Sequence, residues 1–232
     1  MLLSCMPESK KARRPRRVLR IGVTGHRLDK LDADDAARLR AQVRKILLRL
    51  KQALVGHDPT PARGGAGNFK LQIVSPLAEG ADRLVAEAAL DEGAELIAPL
   101  PFSRERYALD FADPASRADF FALLGRAAQV VEIDGRRGSE RSRQEAYRAV
   151  GTLVLRKSDM LIALWDGRKA SGPGGTADVI DEAREAGRPV LWLPTAGARP
   201  RTPQLMLAER VVSAGAVGAF IKIAKDVAAA RP

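Results

Sequence analysis

The sequence predicts an α/β fold, a Rossmann-like three-layer sandwich with a mostly parallel central sheet. Two observations point to it. Short apolar runs alternate along the chain with segments of helical periodicity, the pattern of strands joined by helical crossovers. Several of these runs, such as "MLIALW" and "AELIAPL", are apolar at consecutive positions, as strands buried on both faces must be. At 232 residues the chain is long enough for one large core, with extensions rather than a second independent domain.

The first strand is read at Val18–Val23, within "RVLRIGVTGHR", and it ends at Thr24 and Gly25. From Ala33 to Leu54 apolar residues recur at helical spacing, with Leu39, Val43, Ile46, Leu47, Leu50 and Leu54 on one stripe and Asp32 as N-cap. "GHDPTPARGGAGN" is a Pro/Gly loop. "LQIVSP" is the second strand, "GADRLVAEAALDEG" a helix stopped by Gly93, and "AELIAPLP" the third strand. "SRERYALDFADPASRADFFALLGRA" reads as one or two short helices interrupted at Pro114, before the strand "QVVEI". "DGRRGSERSR" is expected as a basic, glycine-punctuated loop, followed by the helix "QEAYRAVGTLVLRKS" and the strand "MLIALW". A glycine pair then opens the helix "TADVIDEAREAG", and "PVLWL" is the last core strand. The expected organisation is a basic flexible tail over 1–17, a nucleotide-binding domain over 18–195, and a linker with a C-terminal helix over 196–232 that packs on the domain or on a partner subunit.

The 39 Lys and Arg against 28 Asp and Glu give a formal charge of +11, which favours anionic partners. Its distribution qualifies that, because "ESKKARRPRR" holds six basic residues and one Glu. Cys5 is the single cysteine, which excludes an internal disulfide and a cysteine metal cluster, so a reducing, cytoplasmic setting is expected. No run reaches the roughly 18 apolar residues a membrane span needs, so no membrane partner is expected. The two histidines, His26 and His57, stand at ligand spacing from no other good donor, and no metal site is predicted.

In an open α/β sheet, ligands sit beyond the carboxyl ends of the strands, so motifs there carry the functional information. In "VTGHR", Gly25 permits a tight turn close to a ligand, and Thr24, His26 and Arg27 bring polar or cationic groups to the same rim. In "SPLAEGADRLVAE", Ser75 ends a strand, Glu79 and Gly80 form a turn, and a helix opens at Ala81–Asp82. Glu79 is the candidate for ribose hydroxyls or for a catalytic acid or base, whereas Asp82 complements the helix dipole. In "APLPFSRERYALDF", Phe102 or Tyr107 could stack on a base with Arg104 near a phosphate, against the alternative of core packing. In "SDMLIALWDGRKASGPGGTADVI", Asp166 and Gly167 end a strand, and Gly174, Gly175 and Thr176 open a helix where a phosphate can approach the backbone.

Taken together and in this order, "IGVTGHR", "SPLAEGADRLVAE", "LPFSRERYALDF" and "SDMLIALWDG...GGTADVI" resemble the SLOG superfamily, the Rossmann-like group that includes the Smf/DprA and Lonely-guy proteins. The similarity spans roughly residues 18 to 194. It implies a nucleotide or nucleotide-derived ligand held between the first-strand loop and the glycine-rich turn. Members include phosphoribohydrolases, sensory domains for ADP-ribose-like or cyclic-nucleotide signals that couple to a separate effector protein in prokaryotic defence or stress signalling, and single-stranded DNA binders. Related domains often pair through helices, which implies a homo-oligomer. No cofactor is required, though a phosphate ligand can carry Mg²⁺.

The hydrolase branch carries a PGGxGTxxE pattern whose glutamate assists glycosidic cleavage. Here "GPGGTADVI" lacks the residue between the second glycine and the threonine, and Val179 stands three beyond Thr176. The phosphate-holding part is kept and the catalytic carboxylate is not, which favours binding or sensing over hydrolysis. A nucleoside-phosphate N-glycosidase is the alternative. A nucleic-acid binder using the basic tail and "GRRGSERSR" is the third reading.

Overall fold

A computed structural model describes residues 17–27, 33–55, 69–168 and 175–230. Within them, six strands are laid down between helices: β1 (Arg17–Gly25), β2 (Phe69–Val74), β3 (Glu95–Leu100), β4 (Gln129–Glu132), β5 (Met160–Trp165) and β6 (Val190–Pro194). The helices are α1 (Ala33–Val55), α2 (Ala81–Asp91), α3 (Arg104–Ala108), α4 (Pro114–Gly125), α5 (Glu140–Lys157), α6 (Thr176–Glu185) and α7 (Ala216–Ala229). Two short strands, β7 (Gln204–Met206) and β8 (Val211–Val212), precede α7. The sheet runs β4-β3-β2-β1-β5-β6-β7-β8, parallel throughout except for the last two strands.

Alternation along the buried strands separates the two covering layers. Met160, Ile162 and Leu164 of β5 join Leu19, Ile21 and Val23 of β1 in the core beneath α1, α2 and α7. Leu161 and Ala163, one residue out of phase, pack instead with Leu155 of α5 and with Val179, Ile180 and Ala183 of α6. On the first side, Leu96, Ala98 and Leu100 of β3 support a cluster of Phe102, Tyr107, Phe111 and Phe120 beneath α2 and α4. The architecture is therefore the predicted three-layer, Rossmann-like sandwich.

Local sequence explains the boundaries. Asp113 caps α4 by accepting from the Ala115 amide at 3.0 Å, and Pro114 starts the helix where its missing N–H costs nothing, so α3 and α4 are two helices. The expected loop "DGRRGSERSR" is shorter than read. Ser139 and Ser142 form a reciprocal capping box, and α5 begins at Glu140. Past residue 195 the chain adds β7 antiparallel to β6 and then β8 antiparallel to β7, two strands not expected from the sequence, before α7 packs on α1. Of the expected tail over 1–17, Arg17 opens β1 and the rest lies outside the described residues, as do the N-cap Asp32 and the Pro/Gly loop.

Candidate functional site at the carboxyl ends of the strands

Strand order reverses between β1 and β5, where chain progression turns from the β2 side to the β6 side. The crevice this leaves lies at their carboxyl ends. His26 joins three elements there. Its amide donates to the Leu164 carbonyl at 3.0 Å, its carbonyl accepts from the Ala81 amide at 2.9 Å, and its imidazole Nε2 lies 2.9 Å from both the amide nitrogen and Oδ1 of Asp166. A protonated Nε2 would donate to the carboxylate, and a bare one accepts from the amide; either way Asp166 is tied to β1.

Close backbone approach makes this joint possible. A Cβ on Gly25 would stand 2.5 Å from both the Ala81 side chain and the Leu164 carbonyl oxygen. Gly80, at φ +91°, would carry a Cβ onto the His26 carbonyl and 2.8 Å from the Arg27 carbonyl carbon. On the β5 side, Asp166 Oδ1 accepts from the Arg168 amide at 2.9 Å, closing a turn around Gly167 at φ +82°. Trp165 Nε1 donates to the Arg168 carbonyl at 2.9 Å, and Trp192 Nε1 donates to the Trp165 carbonyl at 2.8 Å. The two indoles pack at 5.2 Å and wall the turn.

The structure thus brings Thr24, Gly25, His26, Gly80, Asp166 and Gly167 to one joint. Thr24 is buried at the end of β1. Gly175 and Thr176 begin α6 beyond the end of β5, and α6 has no side-chain cap at Gly175. Gly174 lies outside the described residues.

Three other expected site residues are engaged elsewhere. Ser75 is fully buried, donates to the Asp82 carbonyl at 3.0 Å and accepts from the Leu77 amide, so it braces the turn before α2. Phe102 is fully buried, with Tyr107 and Tyr147 against its edges and the Arg137 guanidinium 5.2 Å from its centroid, so its ring offers no face for a base. Glu79 accepts from the Ser116 hydroxyl of α4 and faces Arg83, on the α2–α4 side of the turn.

Arg83 is itself buried. Its Nε donates to the Leu77 carbonyl at 3.0 Å, its Nη1 to the Ser116 carbonyl and hydroxyl at 2.8 Å, and its guanidinium stacks 4.2 Å from the Phe111 centroid. Asp82 follows the same turn. Burial pushes its carboxyl up to about 7, against the opposing pull of the Ala78 amide, Arg27 and Arg83. From sequence Asp82 is expected as a charge complementing the helix dipole; the fold buries it.

Sequence reasoning also missed a polar cavity of about 400 Å³ beside the crevice. Arg27 enters it from the end of β1, Asp110 from the loop after α3, Arg137 from the loop before α5, and Arg143 and Tyr147 from α5. The signal was the "GRRGSERSR" stretch, in which Arg137 and Arg143 share this wall with Tyr147 one helical turn further on.

No family model matches this sequence, and no curated protein does. Among solved structures it is similar to DNA processing protein A of Streptococcus pneumoniae, at 18% identity and TM-score 0.48, over 76% of this chain and 50% of that one. It is similar to DNA processing protein A from Helicobacter pylori, described for its single-stranded DNA binding mode, at 19% identity and TM-score 0.45, over 76% and 65% of the two chains. The Moco carrier protein of Chlamydomonas rheinhardtii is similar at 18% identity and TM-score 0.40, over 79% of each chain. This chain spans half the length of the Streptococcus protein it matches. Its own strand order and double layer of helices define what it is at the level of fold: a doubly wound, Rossmann-like α/β protein.

Proposed function

We infer that this chain binds a nucleotide or nucleotide-derived ligand in the crevice between the carboxyl ends of β1 and β5. The carrying observation is the joint at His26, where the reversal of strand order, the close-packed Gly25 and Gly80, and the anchored Asp166 coincide. Ligands of open α/β sheets collect at such reversals. The start of α6 at Gly175 and Thr176 suits a phosphate, because Gly175 supplies no side-chain cap that would stand in a ligand's way and the helix dipole favours negative charge there. Asp166 is placed to accept from sugar or base donors, and Arg27 adds a cation at the rim.

Binding or sensing is favoured over cleavage. Val179, which stands where the hydrolase pattern has glutamate, is buried against α5 and β5 and offers no acid or base. Glu79 is already held by Ser116 and Arg83. Isothermal titration against ADP-ribose, NAD, nucleoside monophosphates, cyclic oligonucleotides and single-stranded DNA tests the assignment. Micromolar binding of at least one nucleotide is expected, and weakening of it by Thr176→Val. No binding tighter than millimolar across the panel overturns it. Release of free base or ribose 5-phosphate, abolished in Glu79→Gln, would establish the N-glycosidase alternative instead.

A further inference from the structure

We propose that the cavity beside the crevice is a phosphate-binding site built from Arg27, Arg137 and Arg143, with Tyr147 as its floor. Its volume of about 400 Å³ falls in the range of small-molecule sites. Three guanidiniums converge on it, from the end of β1, the loop before α5 and α5 itself, while among the described residues the carboxylates on its wall are Asp110 and Glu140. The described lining therefore keeps positive charge after internal pairing.

The pairs are of two kinds, and the difference defines the site. Asp110 is a structural anchor, because its side chain is only 6% exposed, accepts from the Tyr147 hydroxyl and pairs with Arg137 at 2.8 Å. Arg137 also donates to the Arg106 carbonyl and lies over Phe102. Its guanidinium is thus fixed before any ligand arrives, which lowers the entropy lost on binding. The Arg143–Glu140 pair is the reverse, with side chains 40% and 63% exposed within one turn of α5. Such an exposed pair is worth little and is readily exchanged. A phosphate brings more charge and more acceptor oxygens than the Glu140 carboxylate, and guanidinium forks match those oxygens in pairs. Arg27 approaches over the Tyr147 ring at 5.8 Å, and Leu109, 69% exposed on the rim, gives the remainder of the ligand an apolar contact.

The phosphate has two possible sources. It belongs either to the far end of a ligand seated in the crevice, since Arg27 directly follows His26, or to a separate phosphorylated molecule. Only the first source rests on the crevice reading.

The test is titration of the full chain with inorganic pyrophosphate at low ionic strength, with and without saturating AMP. Binding is expected, weakened about tenfold or more in Arg143→Gln and further in the Arg137→Gln/Arg143→Gln variant. Arg143→Gln leaves the buried Asp110 anchor intact, so an unchanged unfolding midpoint in that variant separates lost binding from lost folding. Mutual exclusion of AMP and pyrophosphate identifies one ligand spanning both places, and independent binding identifies two. Failure of AMP to bind bears on the crevice alone. Absence of pyrophosphate binding below millimolar, or binding undiminished in both variants, overturns the site.

Discussion

Gly80 lies with φ +91° directly beneath the first-strand loop, and a methyl group there has nowhere to go except into backbone. Gly80→Ala is expected to cost about 2 kcal/mol or more, read by urea unfolding, because it adds strain at positive φ to a collision. Asp82 makes a prediction in pH. Its folded carboxyl sits near 7 against a reference of 3.8, so the folded chain holds that proton more tightly than the unfolded chain does. Its contribution to stability is full below about pH 4, declines as pH rises through 7, and is flat above that, by on the order of a few kcal/mol in all. Asp82→Asn should flatten unfolding free energy between about pH 4 and 7; an unchanged slope would assign the dependence to other groups. At this scale the sequence was partly legible. Gly25 and Asp166 could be placed at strand ends, and Gly80 in the turn that opens α2, from the local sequence alone. Ser75 and Phe102 also sit at strand ends, yet their side chains face inward, and no local pattern says which way a residue just past a strand will turn.

Contacts between elements depend on a few buried polar side chains. Arg83 ties α2 to α4 through Ser116 while its guanidinium rests on Phe111. Arg83→Met is expected to lower stability by about 2 to 4 kcal/mol, since the Leu77 and Ser116 acceptors lose a charged donor and Glu79 loses its cation. Arg83→Lys should recover little, because a single ammonium cannot serve three acceptors and an aromatic face together. A second clamp joins α1 to the end of β6. Asp35 accepts from the Ala196 amide at 2.8 Å, and Arg38, paired with Asp35, donates to the Pro194 carbonyl at 2.8 Å. Asp35→Ala should cost about 1 to 3 kcal/mol in chemical denaturation by leaving the Ala196 amide without its acceptor. Elements with full apolar runs were readable from the sequence, and β1 to β6 all fall where periodicity put them. β7 and β8 were not, because three- and two-residue strands are too short to show a period, and they exist only because β6 offers them an edge.

Over the whole molecule, the doubly wound order gathers the loops after β1 and β5 at the carboxyl ends of the strands, while α7 joins α1 in one covering layer. A ligand that binds only this folded arrangement should stabilise it by about 2.7 kcal/mol at a concentration one hundred times its dissociation constant, seen as a rise in the thermal midpoint. The gain should shrink with added salt if the arginine-lined cavity shares the ligand. The parallel, helix-covered character of the sheet followed from the alternation of elements, whereas the order of its strands, and a cavity built from three segments far apart in sequence, could be found only after folding. The chain has two histidines, so the imidazole resonances of His26 can be assigned by a single substitution at His57, and they report from a ring in contact with the Asp166 turn and a backbone shared by β5 and α2. A nucleotide entering the crevice must disturb at least one of those neighbours, which makes this side chain a built-in spectroscopic sensor of occupancy.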